Sequence, residues 1–193
     1  MDLAVPHEWW GVLSTVQRSS RGAFLAGGAL RDLRTRRPIK DVDIFVGPDA
    51  NTGLLDVSLH FKGYRKTTIA NAAYFSDDES LQLATVYEKD GQLPVNIIQL
   101  SRPMSLHEGL ERLDWGFCQI GTDGGNIIAT EAHEKDIRQS TMTLCRCQSE
   151  DQYVRSMERA KRLRQKFVNW RVVVPEQFER FIPPSYSILA PLT

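Results

Sequence analysis

The 193-residue chain is poor in cysteine, carries no excess of charge of either sign and contains no long apolar run. Each absence excludes something. The three cysteines, Cys118, Cys145 and Cys147, are too few and odd in number for a disulfide framework, which points to a reducing compartment. Cys145-x-Cys147 has neither a second cysteine pair nor a histidine at zinc-ligand spacing, so these residues read as small apolar members of a strand. No window approaches the roughly 18 uninterrupted apolar residues that a membrane span needs. Asp2, His7 and Glu8 interrupt the N-terminus before a signal-peptide core could form, and the expected location is the cytoplasm. Net charge is zero, which excludes indiscriminate nucleic-acid binding driven by charge alone. Internal repeats and low-complexity tracts are also lacking.

What is present is an ordinary globular composition, 41% hydrophobic and 25% charged, in a length that suits one domain or one domain with a small helical annex. The charge is unevenly placed. Between Gln17 and Lys40, Arg18, Arg21, Arg31, Arg34, Arg36, Arg37 and Lys40 face a single acid, Asp32. Between Arg155 and Arg171 a second run of seven cations faces only Glu158. Two such runs in a neutral chain suggest a polyanionic ligand.

Periodicity predicts a helix from Pro6 to about Ser19 with Trp9, Val12, Leu13 and Val16 on its apolar face. A short strand over Ala23–Ala26 stops at Gly27-Gly28, and a helix over Ala29–Thr35 is closed by Arg36-Arg37-Pro38. Val42–Val46 reads as a strand and Leu54–Phe61 as a helix. Ser80–Glu88 and Val95–Leu100 form a predicted hairpin around Lys89-Asp90-Gly91. Ser105-x-x-Glu108 has capping-box spacing and opens a helix to about Leu113. Phe117–Ile120 and Asn126–Ala129 read as strands, Glu131–Ile137 as a short helix, and Ser149 to about Trp170 as the last long helix. The proline-bearing tail (Pro175, Pro183, Pro184, Pro191) is expected along the surface. The four histidines are scattered and read as surface or helix-end residues. The four tryptophans read as core, with Trp115 also a candidate to line a pocket.

The chemistry-bearing segment is Phe24-Leu25-Ala26-Gly27-Gly28-Ala29-Leu30-Arg31-Asp32, followed by Ile39-Lys40-Asp41-Val42-Asp43-Ile44. Two glycines between a strand and a helix let the backbone approach a ligand and offer N–H groups to an anion such as a triphosphate. Asp41 and Asp43, two apart on a strand, project from one face about 7 Å apart, close enough to share divalent ions. Mg²⁺ suits such hard oxygen ligands, completing its shell with water and phosphate.

These residues resemble the signature of the DNA polymerase β-like nucleotidyltransferases, in particular the head and neck of bacterial CCA-adding enzymes and poly(A) polymerases: Gly27-Gly28-Ala29-Leu30-Arg31-Asp32, a short basic spacer, then Lys40-Asp41-Val42-Asp43. The resemblance implies an α+β palm with a small mixed or antiparallel sheet of about five strands, flanked by helices, over residues 1–140. A helical neck and tail would occupy 141–193. It implies that Gly27, Gly28 and Arg31 hold a triphosphate, that Lys40 offsets its charge, that Asp41 and Asp43 bind Mg²⁺ or Mn²⁺, and that Asp32 braces the helix. Looser matches follow. Arg112-Leu113-Asp114-Trp115 is similar to a segment beside the nucleotide sugar, and Arg159-Ala160-Lys161-Arg162 to a stretch of the neck helix. Asp151 and Arg155, one residue further apart than in the family, stand where a base-reading pair is expected.

The pattern also departs from the family. A third carboxylate on a following strand is replaced, in Pro94-Val95-Asn96-Ile97-Ile98, by Asn96. An amide oxygen can ligate a metal but is uncharged and accepts no proton, so the ion that activates the attacking hydroxyl should be held more weakly. Either another acid (Glu88, Asp90 or Asp114) serves, or the chain binds an NTP and turns it over slowly or not at all. The resemblance implies an Mg²⁺-dependent transfer of a nucleoside monophosphate from an NTP to an RNA 3′ end or a protein hydroxyl. The alternative is a weakened or inactive relative that binds nucleotide, RNA or a protein partner as an inhibitor or regulator.

Overall fold

A computed structural model describes residues 3–70 and 81–184, with backbone only at 68–70. Ser80, at the start of the expected hairpin, and the tail beyond Pro184, Pro191 included, lie outside the described residues. The chain divides into two compact units, Met1–Gly109 with Ile120–Ile128, and Leu110–Gln119 with Ala129–Thr193.

The first unit is built on a mixed seven-stranded sheet of order β3-β4-β5-β2-β1-β6-β7, formed by β1 (Phe24–Ala26), β2 (Val42–Val46), β3 (Arg65–Ala70), β4 (Leu81–Glu88), β5 (Val95–Leu100), β6 (Ile120–Thr122) and β7 (Ile127–Ala129). The α+β class is as expected, but the sheet has seven strands rather than about five. The strand without a sequence signal is β3, whose Arg-Lys-Thr-Thr start shows no apolar alternation. β2 pairs antiparallel with β1 and parallel with β5, and β4–β5 is the expected antiparallel hairpin.

Helix α1 (His7–Gln17) places Trp9, Val12, Leu13 and Val16 in the core, none more than 4% exposed. Pro6 is its N-cap rather than part of its first turn, with an extended ψ of 137°. Helix α2 (Gly28–Arg34) joins β1 to β2, and α3 (Thr52–Phe61) follows β2 with Asn51 accepting from the Leu54 N–H at its N-cap. Helix α4 (Leu106–Glu111) opens on the expected capping box: the Glu108 carboxylate accepts from the Ser105 N–H and the Ser105 hydroxyl from the Glu108 N–H.

The second unit contains α5 (Glu131–Gln139), β8 (Thr141–Thr143), α6 (Glu150–Lys166) and β9 (Arg171–Val173), with β8 and β9 paired parallel. Its core gathers Trp115, Phe117, Cys118, Met142, Leu144 and Tyr153 with Met157, Ala160 and Phe167. Several expectations are corrected here. Phe117 and Cys118 lie in a 3-10 turn over Gly116–Cys118, and the strand begins only at Ile120. Every residue from Trp115 to Ile120 is buried, and a short run buried on all sides has no periodicity to distinguish strand from turn. Cys145 and Cys147 follow β8 outside any strand, and all three cysteines are free thiols.

Helix α6 stops at Lys166 instead of near Trp170. Phe167 packs edge-on to Phe117, ring centroids 5.5 Å apart, and 4.9 Å from Trp170, and this aromatic corner reverses the chain into β9. Trp115 is fully buried, core rather than pocket lining. His133 is not a surface residue: it is fully buried, with Nδ1 2.8 Å from the Phe117 carbonyl oxygen. The tail begins with a 3-10 turn over Glu176–Phe181 that sends Phe178 into the core. Among the described residues no helix is long and apolar enough to cross a membrane.

Candidate functional site

Sheet register brings the two halves of the glycine–aspartate motif together in the first unit. Phe24 pairs with Phe45 and Leu25 with Ile44, so the same antiparallel register carries Ala26 opposite Asp43. Gly27 follows directly, at φ 90° and ψ −131°, a backbone conformation that side chains with a Cβ essentially cannot adopt. Its N–H is held by the Ile120 carbonyl at 2.9 Å, and its own carbonyl receives the Arg31 N–H at 3.1 Å to start α2. The chain therefore reverses at the strand end. The N–H groups of Gly28, Ala29 and Leu30 stand in the first helical turn, outside the intrahelical ladder.

Asp41 immediately precedes β2 and Asp43 is its second residue; Val42 between them is 1% exposed, whereas both acids are half-buried. That alternation turns the acids away from the Val42 side of the sheet. On the parallel neighbour β5, Asn96 is in register with Asp43, and its side-chain nitrogen donates to Asp43 Oδ1 at 2.8 Å. Against a carboxylate oxygen only the donor end of an amide is tolerated. The nitrogen, which cannot ligate a metal, thus faces Asp43.

Arg31 and Asp32 form a buried pair, 4% and 3% exposed. Arg31 Nε and Nη2 both reach Asp32 Oδ1, at 2.8 and 2.7 Å. A Cβ placed on Gly28 would lie 3.6 Å from Arg31 Nη2, so the guanidinium lies beside the glycine turn with Asp32 fixing it there. Lys40 is exposed, as are Arg36 and Arg37, and these cations give the loop before Asp41 its positive charge.

The remaining candidates lie in the second unit. Asp114 receives Arg159 Nη1 on Oδ1 and the Ser156 hydroxyl on Oδ2, both at 3.0 Å, and its carbonyl takes the Cys145 N–H at 2.7 Å. Ser156 carried no sequence signal beyond its position one turn before Arg159. The Arg112 carbonyl accepts from Arg146 Nη1 at 3.1 Å. Asp151, Arg155 and Arg162 are exposed on α6, and the four- and three-residue steps from Arg155 to Arg159 to Arg162 align them on one helix face.

A cavity of about 110 Å³ in the first unit is lined by Val46, Leu55, Thr85, Tyr87 and Ile97, among others, and by none of the candidate residues. Strand alternation puts Val46 and Ile97 on the sheet face opposite Asp43 and Asn96. Among the described residues no three His, Cys, Asp or Glu side chains gather as a metal cluster. Two carboxylates nevertheless suit Mg²⁺ or Mn²⁺, which commonly bind through one or two carboxylates with water and substrate phosphates supplying the rest. The Asp41–Asp43 donor set fits such an ion.

No protein-family model and no curated protein matches this sequence. Solved structures do. A tRNA-processing enzyme in an apo form superposes with a TM-score of 0.63 at 18% identity, over 97% of this chain and 49% of that one. The fold is similar to that of the CCA-adding enzymes. The CCA-adding enzyme of Bacillus stearothermophilus in complex with CTP gives a TM-score of 0.60 at 21% identity, over 91% of this chain and 42% of that enzyme. The CCA-adding enzyme of Thermotoga maritima complexed with tRNA gives 0.60 at 17%, over 93% and 42%. The chain thus shares its fold with part of the CCA-adding enzymes and spans less than half the length of those enzymes.

Proposed function

We propose that this chain is a divalent-metal-dependent nucleotidyltransferase that transfers a nucleoside monophosphate from an NTP to an acceptor hydroxyl, with an RNA 3′ end as the acceptor. The observation that supports the reading is the β1–β2 register, which continues to Ala26 opposite Asp43 and so sets the Gly27 turn at the same end of the strand pair as the acids. The first-turn N–H groups and Lys40 bind the triphosphate. Arg31, paired with Asp32, braces the glycine turn from behind. Asp41 and Asp43 would hold the metal, which when bound screens the phosphate charge and polarises the reacting phosphorus. The acceptor oxygen forms a bond to the α-phosphorus, the bond to the β-phosphate oxygen breaks, pyrophosphate leaves with the electron pair, and the hydroxyl proton passes to water. The exposed arginines of α6 favour a polyphosphate acceptor over a protein hydroxyl, and the CTP- and tRNA-bound neighbours support both substrate classes.

Incubation with each labelled NTP, Mg²⁺ or Mn²⁺ and total RNA should transfer label, and Asp41→Asn or Asp43→Asn should reduce transfer by at least about a hundredfold. Equal labelling by wild type and both variants defeats the assignment. One observation favours a second reading: Asn96 presents a donor, not a carboxylate, to Asp43, and no proton acceptor stands at that position. A protein that binds nucleotide in the presence of Mg²⁺ or Mn²⁺ without turning it over would then be a regulator built on the same scaffold, and calorimetry separates the two.

A further inference from the structure

We infer that Asn96 is a positioning residue for Asp43: the group that β5 sets against the acid pair is an amide donor, not a further carboxylate, so the site holds a single divalent ion. This rests on the reading of Asp41 and Asp43 as the metal-holding pair. Asp43 and Asn96 are in-register neighbours on parallel strands, so their contact is set by the sheet itself, about 4.8 Å from strand to strand. The 2.8 Å bond takes the Oδ1 lone pair directed at β5. To ligate an ion through its oxygen, the amide would have to turn over and abandon that bond. Because an amide brings no charge, β5 adds none of the negative charge that a second divalent ion would need. Asp43 is also oriented before any metal arrives, which lowers the ordering cost of binding.

The test uses the full chain and Mn²⁺ alone, read by calorimetry and by thermal unfolding. Wild type should bind one ion. Asn96→Ala should still bind one, roughly 10–100-fold more weakly, because the carboxylate is no longer held. Asn96→Asp sets two carboxylates in contact; without metal it should melt roughly 3–8 °C below wild type, bind two ions, and regain its melting temperature as the second ion binds. Two ions on wild type, or undiminished Mn²⁺ affinity in Asn96→Ala, overturns the inference and leaves the acid-pair reading standing. Mn²⁺ binding that survives unchanged in the Asp41→Asn/Asp43→Asn double variant overturns the reading itself.

Discussion

Asp136 is a fully buried acid held by neutral donors in the second unit. The hydroxyls of Thr141 and Thr143 donate to its Oδ1 at 2.7 and 2.5 Å, and the Thr143 N–H to Oδ2 at 2.9 Å. A Cβ on Gly116 would stand 2.7 Å from the same Oδ2, which explains the glycine there. Removing the acceptor strands three donors, so Asp136→Ala should cost about 3–5 kcal/mol, seen as a lower midpoint in urea unfolding. Nearby, burial and then the Asp136 charge push the Cys145 thiol up from 9.0 to about 11. A thiol that keeps its proton longer when folded contributes stability that is complete below about pH 9 and lost as pH rises towards 11. Alkaline melting curves of wild type should therefore fall more steeply over that window than those of Cys145→Ser. At neutral pH the same thiol should alkylate slowly.

At the scale of elements, legibility followed local chemistry. The Ser105–Glu108 capping box and the β2 alternation could be read directly because each is decided by residues within a few positions. Ser149 also caps α6, accepting the Gln152 N–H at 3.1 Å, but the Gln152 amide oxygen takes the Gln148 N–H instead of closing the box on Ser149. The glycine turn and the acids of the candidate site were likewise visible as residue types. The Asp43–Asn96 bond was not, because it depends on β5 lying parallel to β2 after a separation of more than fifty residues. β3 was hidden because its cationic, threonine-rich start acquires strand character only by pairing with β4. Helix α5 ends on Ser140 in the left-handed region, φ 51° and ψ 51°, where a glycine would relieve the Cβ conflict. Ser140→Gly should stabilise the protein by about 0.5–1 kcal/mol, a rise of roughly 1–4 °C in melting temperature.

For the whole molecule, neutrality conceals a polarised surface. Seven cations against one acid between Arg155 and Arg171 would make the proposed RNA binding a local electrostatic event with a salt dependence that net charge does not foretell. On a single-stranded RNA each phosphate contact adds about 0.7 to the magnitude of the slope of log K against log salt. Arg155→Ala and Arg162→Ala should each reduce that slope by about 0.7 while leaving sequence preference unchanged, as read by fluorescence anisotropy across salt. The route of the backbone sets a further constraint. It leaves the first unit after Gly109, returns at Ile120 and departs again after Ile128, so along the sequence the Trp115–Phe117 stretch of one core lies between two segments of the other unit. Neither half is severable by one cut: cleavage beyond Ile128 followed by separation of the fragments would strand that stretch on the wrong one, leaving an N-terminal piece with orphaned aromatics and a C-terminal piece with a hole at its centre.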